Sequence, residues 1–349
     1  MKKVSFLMII LILIFASIVC EKKIQKKEEI NIAAVKNIGI YEAKTEEEMP
    51  YQFSSIYSVD CDTEGNIYIL DGEENCLKIF DRKGNFIKTL LIKGKGPKEI
   101  TNAYKIRINP FTGNIFVLQD YGYQLKEFNP SGEHIELYAL PEQFFYYSDF
   151  IDKHRLLFVS MGRTNENTYS NFKILNLKTL KIEKEFAPTN RESMTNGTMR
   201  FIIKNETLWT CPGDEMKLAA YDLNSGKKIM NIKIDEKYKK TKFLKGQNWI
   251  RAVPYNYGQP LMINNQIYVL VAQVGYIGED SLEAVHTPKS QQFFLYLLEN
   301  NDLIKQKELT EIADKELTFL GCVWKNRLFF YKQEPFPMIR ILEVEKKTH

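Results

Sequence analysis

Two stretches of this chain return 48 residues further on in one register, and that repeat limits the fold more than any other feature of the sequence. Gly65-Asn66-Ile67-Tyr68-Ile69-Leu70 comes back as Gly113-Asn114-Ile115-Phe116-Val117-Leu118, and Leu77-Lys78-Ile79-Phe80-Asp81-Arg82-Lys83-Gly84 as Leu125-Lys126-Glu127-Phe128-Asn129-Pro130-Ser131-Gly132. Fainter copies of the first motif stand at Arg155 to Val159, Thr207 to Thr210, Gln266 to Leu270 and Arg327 to Tyr331. Copies of the second stand around Phe172 to Asn176, Leu218 to Asp222, Phe294 to Leu298 and Met338 to Leu342, which makes six units of roughly 50 residues.

Inside the first unit, short apolar segments alternate with Asp, Gly and Asn turns: Ile56 to Cys61, Asn66 to Leu70, Cys76 to Asp81 and Asn85 to Leu91. This is the pattern of a four-stranded antiparallel meander. A lone sheet that is apolar on both faces cannot hide either of them, whereas six sheets packed radially hide both. The expected fold is therefore all-β, a six-bladed β-propeller of four-stranded antiparallel blades, in a single domain over 37–349. The 22 Phe and 19 Tyr suit pleated packing, and a hydrophobic content of 44% excludes a disordered chain. A net charge of +4 provides no basic field, so nucleic acid is not an expected partner. Asn37 to Ala43 alternates and is expected to pair with Met338 to Val344, completing the last blade as its outer strand.

The repeats, D-x-x-G-N-I-Y-[IV]-L-D followed by I-x-x-F-D-x-x-G-x-[FL], resemble the NHL-like and TolB-like six-bladed propellers, in particular the exported bacterial six-bladed beta-propeller lipoproteins. Gly94-Lys95-Gly96-Pro97-Lys98-Glu99 matches the G-x-G-P-x-E connector that follows the first clear blade in such proteins. The likeness is strong over Ile56 to Leu137 and weaker beyond. The WD dipeptide, the Y-W-T-D repeat and the sialidase Asp-box are absent. The resemblance implies a fold and an address but no activity.

The N-terminus supports the same address. Lys2 and Lys3 precede an apolar run from Val4 to Val19, shorter than the roughly 20 residues of a spanning helix, so 1–19 reads as a signal peptide. Cys20 follows directly and resembles a lipidation site, although Ser17-Ile18-Val19 departs from the usual lipobox at its first and last positions. Residues 20–36 then read as a lipid-bearing cysteine and a charged tether, on a monomer held at a membrane of the cell envelope. Four cysteines remain. Cys61 and Cys76 fall at opposite ends of one sheet, too far apart for a disulfide. Cys211 and Cys322 lie in other repeats, and all four are expected as buried free thiols.

Chemistry is sparsely marked. Asp60 to Gly65 with Asp71 has EF-hand-like spacing, but it runs into a strand instead of a helix and reads as a hairpin turn. None of H-E-x-x-H, G-x-S-x-G or a P-loop occurs, and no cofactor is expected. Six-bladed propellers include metal-dependent lactonases, and the alternative reading is a hydrolase or lyase holding a divalent metal at the channel mouth. Asp149, Asn165, Asn196, Asp214 and Asp280 are candidate ligands, though no local pattern selects them. Loop length says more. Ser160 to Asn171 and about Ala272 to Gln292 exceed ordinary hairpin loops, and they share a face with Tyr121-Gly122-Tyr123 and the connectors Phe144 to Tyr147 and Trp249 to Tyr257. Candidate ligand-binding residues are Tyr121, Tyr123, Tyr146, Arg163, Trp249, Arg251 and Tyr276, placed to recognise a protein, peptide or glycan without catalysis.

Overall fold

Turn chemistry converts the repeat into structure. Asp62 accepts backbone hydrogen bonds from Glu64 and Asn66 at 3.0 and 2.9 Å and a third from the Asn66 side chain at 2.8 Å. Asp81 does the same with Lys83 and Asn85, and Asn129 accepts from the backbone amides of Ser131 and Glu133 while its own side-chain amide donates to the Glu133 carboxylate. Each side chain stands in for a backbone carbonyl and fixes its hairpin locally, which is why these letters recur. Of the EF-hand-like aspartates, Asp62 thus serves a hairpin turn.

The structure is a computed structural model and describes residues 30–141, 144–160, 168–190, 200–211, 216–234, 242–245, 250–253, 256–276, 288–312 and 318–346. The chain divides into a compact unit, Ile32–Glu345, in which the blades are built, and a second unit formed by its two ends. Blade 1 comprises Ile56–Cys61, Ile67–Asp71, Cys76–Phe80 and Phe86–Lys93, and blade 2 Lys105–Ile108, Ile115–Gln119, Gln124–Phe128 and His134–Ala139. Blade 3 comprises Phe144–Phe150, Arg155–Ser160, Thr168–Asn176 and Lys181–Asn190, and blade 4 Arg200–Lys204, Thr207–Cys211, Lys217–Asp222 and Lys228–Lys233. Blade 5 comprises Asn256–Ile263, Gln266–Tyr276, Pro288–Glu299 and Asp302–Glu308. Blade 6 comprises Thr318–Trp324, Arg327–Lys332 and Met338–Lys346, with Ile30–Ile38 as its outer strand. The expected six-bladed propeller of four-stranded antiparallel sheets is therefore what the chain forms.

The second strands of blades 1 and 2 are apolar up to their last residue because both of their faces are covered. Tyr68 and Leu70 pack toward blade 2, in one cluster with Ile106, Ile115 and Val117, while Ile67 and Ile69 pack toward blade 6, with Phe329 and Ile341. One blade on, Phe116 and Leu118 face blade 3, with Phe150, Leu156 and Phe158. Successive side chains on a strand point to opposite faces, so one short strand feeds two interfaces. Aromatic pairs cross several of them, Phe116 on Phe150 at 4.8 Å, Phe172 on Phe201 at 5.5 Å and Phe293 on Phe330 at 5.5 Å. Each fully buried Phe or Ile contributes roughly 1.5–3 kcal/mol.

Four expectations need correction. The closing strand does join Met338–Lys346, but it is Ile30–Ile38 and not Asn37 to Ala43, so residues 30–36 are strand where a tether was expected. Gly39 ends it at a φ of 137°, pressed so closely on Pro337 and Met338 that no side chain fits. Phe144 to Tyr147 begins the inner strand of blade 3 and is no connector. Much of the supposed loop Ala272 to Gln292 is paired strand, since Ala272 lies opposite Phe293 and Tyr276 opposite Pro288. Finally, Ile250–Val253 pairs with Lys242–Lys245 in a two-stranded ribbon between blades 4 and 5.

Candidate functional site

The first strands of all six blades line a central cavity of about 270 Å³. Its wall is charged on blades 1 to 3, with Asp60, Arg107 and Asp149, and apolar on blades 4 to 6, with Phe201, Leu261 and Val323 among the lining residues. Asp60 and Arg107 occupy nearly the same place in consecutive repeats. Arg107 bridges three blades: Nη1 is 3.3 Å from Asp60, Nη2 is 3.2 Å from Asp149, and Nε donates to the carbonyl of Ser148 at 2.7 Å. Asp60 also accepts from the backbone amide of Ile108 at 2.9 Å, and Ser58 accepts from that of Ile106 at 3.2 Å. Burial opposes the charge on Arg107, but the two carboxylates outweigh it and raise its pKa. Burial raises the pKa of Asp149, against the pull of Arg107. Both carboxylates are thereby committed to a guanidinium, and the cluster braces three inner strands. Among the described residues no group of three His, Cys, Asp or Glu side chains could hold a metal ion. Of the candidate metal ligands, Asp149 is the one paired with Arg107, and Asn165, Asn196, Asp214 and Asp280 lie outside the described residues.

A second locus lies where the second strand of blade 2 turns into the third. Asp120, Tyr121 and Gly122 all have left-handed backbone, with φ of 49°, 57° and 88°. Two consecutive non-glycine residues in that region cost roughly 1–2 kcal/mol each. The turn places Tyr121 at 78% and Tyr123 at 52% exposure. Beneath them Gln119 is buried; its amide nitrogen donates to Gln124 at 3.1 Å, while its oxygen has no partner. Further tyrosines occupy the same side of the ring. Tyr57 is 42% exposed and lies on Gly72 in the corresponding turn of blade 1, and Tyr41, at 74%, meets Phe336 in that of blade 6.

The other sequence-predicted residues that are described stand on other elements. Tyr146 lies in the inner strand of blade 3, Arg251 in the ribbon opposite Leu244, and Tyr276 at the end of the second strand of blade 5. Arg163, Trp249 and Cys20 lie outside the described residues. Sequence reading missed Arg107. Its signal was the pattern Lys105-Ile106-Arg107-Ile108, in which charged residues alternate with isoleucine on an inner strand, nearly one repeat after Asp60. It also missed the proximity of Cys61 and Cys322, whose Sγ atoms are 3.5 Å apart. Cys211 and Cys322 are buried as expected, but Cys61 and Cys76 are partly exposed. Cys61 and Cys76 pair with opposite ends of one strand, at Ile67 and Asp71, in keeping with the absence of a bond between them.

Six four-stranded blades around a cavity define the class as a six-bladed β-propeller. The chain belongs to the DUF5128 family, 6-bladed beta-propeller, whose model matches residues 42–257. It is similar in structure to a member of the DUF4221 family from Bacteroides vulgatus, at 14% identity and a TM-score of 0.62, over 92% of this chain and 100% of that one. It is also similar to a protein of Bacteroides fragilis assigned as exported, at 10% identity and a TM-score of 0.56, over 94% of this chain and 98% of that one. Among curated proteins, none matches.

Proposed function

We propose that this protein is an exported, non-catalytic recognition propeller that binds a protein, peptide or glycan partner on the side of the ring carrying the blade 2 turn. The observation that carries this reading is the Asp120-Tyr121-Gly122-Tyr123 turn, which holds two non-glycine residues in left-handed backbone while displaying two tyrosines. Strain of this kind persists where the surrounding structure imposes it, and it concentrates at binding sites. Tyrosine supplies a large contact area with few rotatable bonds to immobilise. The export address rests on the signal-like residues 1–19, and the Bacteroides fragilis relative assigned as exported agrees with it. Cys20 is then the site of a lipid that holds the propeller at a membrane.

Replacing both Tyr121 and Tyr123 with Ala tests the surface, with Phe111→Ala as the control. Phe111 is 57% exposed in the turn between the first and second strands of blade 2, on the opposite side of the ring. Binding to envelope extracts and glycan arrays should fall at least about tenfold in the tyrosine variant, the loss of one or two aromatic anchors, and stay unchanged in the control. Equal retention by both would defeat the reading. Cys20→Ala should move the protein from the detergent phase to the aqueous phase, and unchanged partitioning would remove the lipid from the account.

A further inference from the structure

Ring closure makes blade 6 the neighbour of blade 1 and brings together two thiols that stand 261 positions apart in sequence. Cys61 ends the inner strand of blade 1, Cys322 lies in the inner strand of blade 6, and both line the central cavity. Their Sγ atoms are separated by 3.5 Å, which a small rotation of either side chain can reduce to the roughly 2.05 Å of a disulfide. The approach is built into the strand. Gly321 sits at a bulge between Leu320 and Cys322, and a Cβ there would lie 2.9 Å from that of Val59, so only glycine lets the two inner strands come this close.

We infer that Cys61 and Cys322 form a disulfide that locks the first blade covalently to the last at the channel wall. The oxidant is a low-molecular-weight or protein disulfide, RSSR. The Cys61 thiolate, the more accessible of the pair, attacks one sulfur of RSSR and releases RS⁻. The Cys322 thiolate then attacks the Cys61 sulfur of the mixed disulfide and releases the second RS⁻. Both protein protons pass to the two leaving thiolates, so the protein loses two electrons and RSSR becomes two RSH. Burial raises the Cys61 thiol above its ordinary value, so the first step is slow at neutral pH and accelerates in base. The lock operates whatever blade 2 binds, and a ring closed over so long a loop gains most from a covalent tie.

The test uses the full chain carrying Cys20→Ala, which leaves Cys61, Cys76, Cys211 and Cys322. It is incubated folded with oxidised glutathione, then alkylated, digested and analysed by mass spectrometry. The expected result is one cross-linked peptide pair joining Cys61 to Cys322, with Cys76 and Cys211 recovered as thiols. The melting temperature should fall by several degrees, about 5 °C or more, when dithiothreitol is added. Cys322→Ser should abolish both the cross-link and the effect of dithiothreitol, leaving Cys61 as a mixed disulfide with glutathione. Recovery of Cys61 and Cys322 as free or separately glutathionylated cysteines in the Cys20→Ala chain overturns the inference, as does a bond joining any other pair. The measurement on the Cys20→Ala chain decides the matter even if the Cys322→Ser variant fails to fold.

Discussion

Blades 1 and 2 carry the same turn 48 residues apart and put it to different uses. In blade 1, Asp71 is fully buried and accepts from the backbone amides of Ser54, Ser55 and Glu74, at 2.8, 3.1 and 3.4 Å, so the turn is tied to the connector that enters the blade. Tyr57 covers Gly72, and the exposed part of the turn is the acidic pair Glu73 and Glu74. In blade 2, Gln119 stands in the place of Asp71, makes one side-chain bond and leaves its oxygen unpartnered, and Tyr121 stands in the place of Glu73. Elsewhere the pair of blades keeps its internal ties. Lys78 donates to the carbonyl of Gln52, and Lys126, one repeat later, to those of Gly96 and Glu99. The turn of blade 1 is tied to its connector through three amides on Asp71, and that of blade 2 by one side-chain bond, from Asn102 to Asp120 at 3.2 Å.

The largest effect should come from removing what only blade 1 has. Asp71→Ala should cost about 2–3 kcal/mol, since it strands amides that a buried carboxylate satisfied, and lower the melting temperature by about 4–8 °C. Gln119→Met in blade 2 should leave the melting temperature within about 2 °C of wild type or raise it, because it deletes an acceptor already without a partner. A comparable loss at both positions would mean that the two turns do the same work. Next in size is the backbone. Tyr121→Gly should add roughly 0.5–1 kcal/mol in urea unfolding by relieving a φ of 57°, whereas Glu73→Gly should lose about 0.5 kcal/mol because its backbone is not left-handed. Smallest of all, Tyr121→Ala with Tyr123→Ala should change stability by less than about 0.5 kcal/mol, as expected for exposed side chains. A larger loss would place those tyrosines in the core.

The contrast also explains how much of the molecule could be read in advance. Blades 1 and 2 were legible because their turns are closed by local bonds, Asp62 with Asn66 and Asp81 with Asn85, which a short motif spells out in full. The closing strand is hidden in the sequence because Ile30–Ile38 is an edge strand, buried at Ile30, Ile32 and Ile38 and exposed from Ala33 to Asn37, so it carries little alternation. The blade 5 hairpin reads as a loop in the sequence because polar residues such as Gln273 and Gln292 pair across strands that run on past the apolar segment. At the site, Tyr121 and Tyr123 could be named from a Gly-marked turn. Arg107 with its two carboxylates, and Cys61 with Cys322, could not, because their partners come from other blades and only ring geometry brings them together.

The measurement that bears most directly on the central claim is a photocrosslink made in intact cells at two equivalent positions. A photoreactive amino acid is introduced at position 121 in one strain and at position 73 in another, each on the same side of the ring and one repeat apart. If the blade 2 turn is the recognition element, irradiation yields a discrete cross-linked species at 121 and none, or a much weaker one, at 73. Equal products at both positions, or a product at 73 alone, would contradict the account.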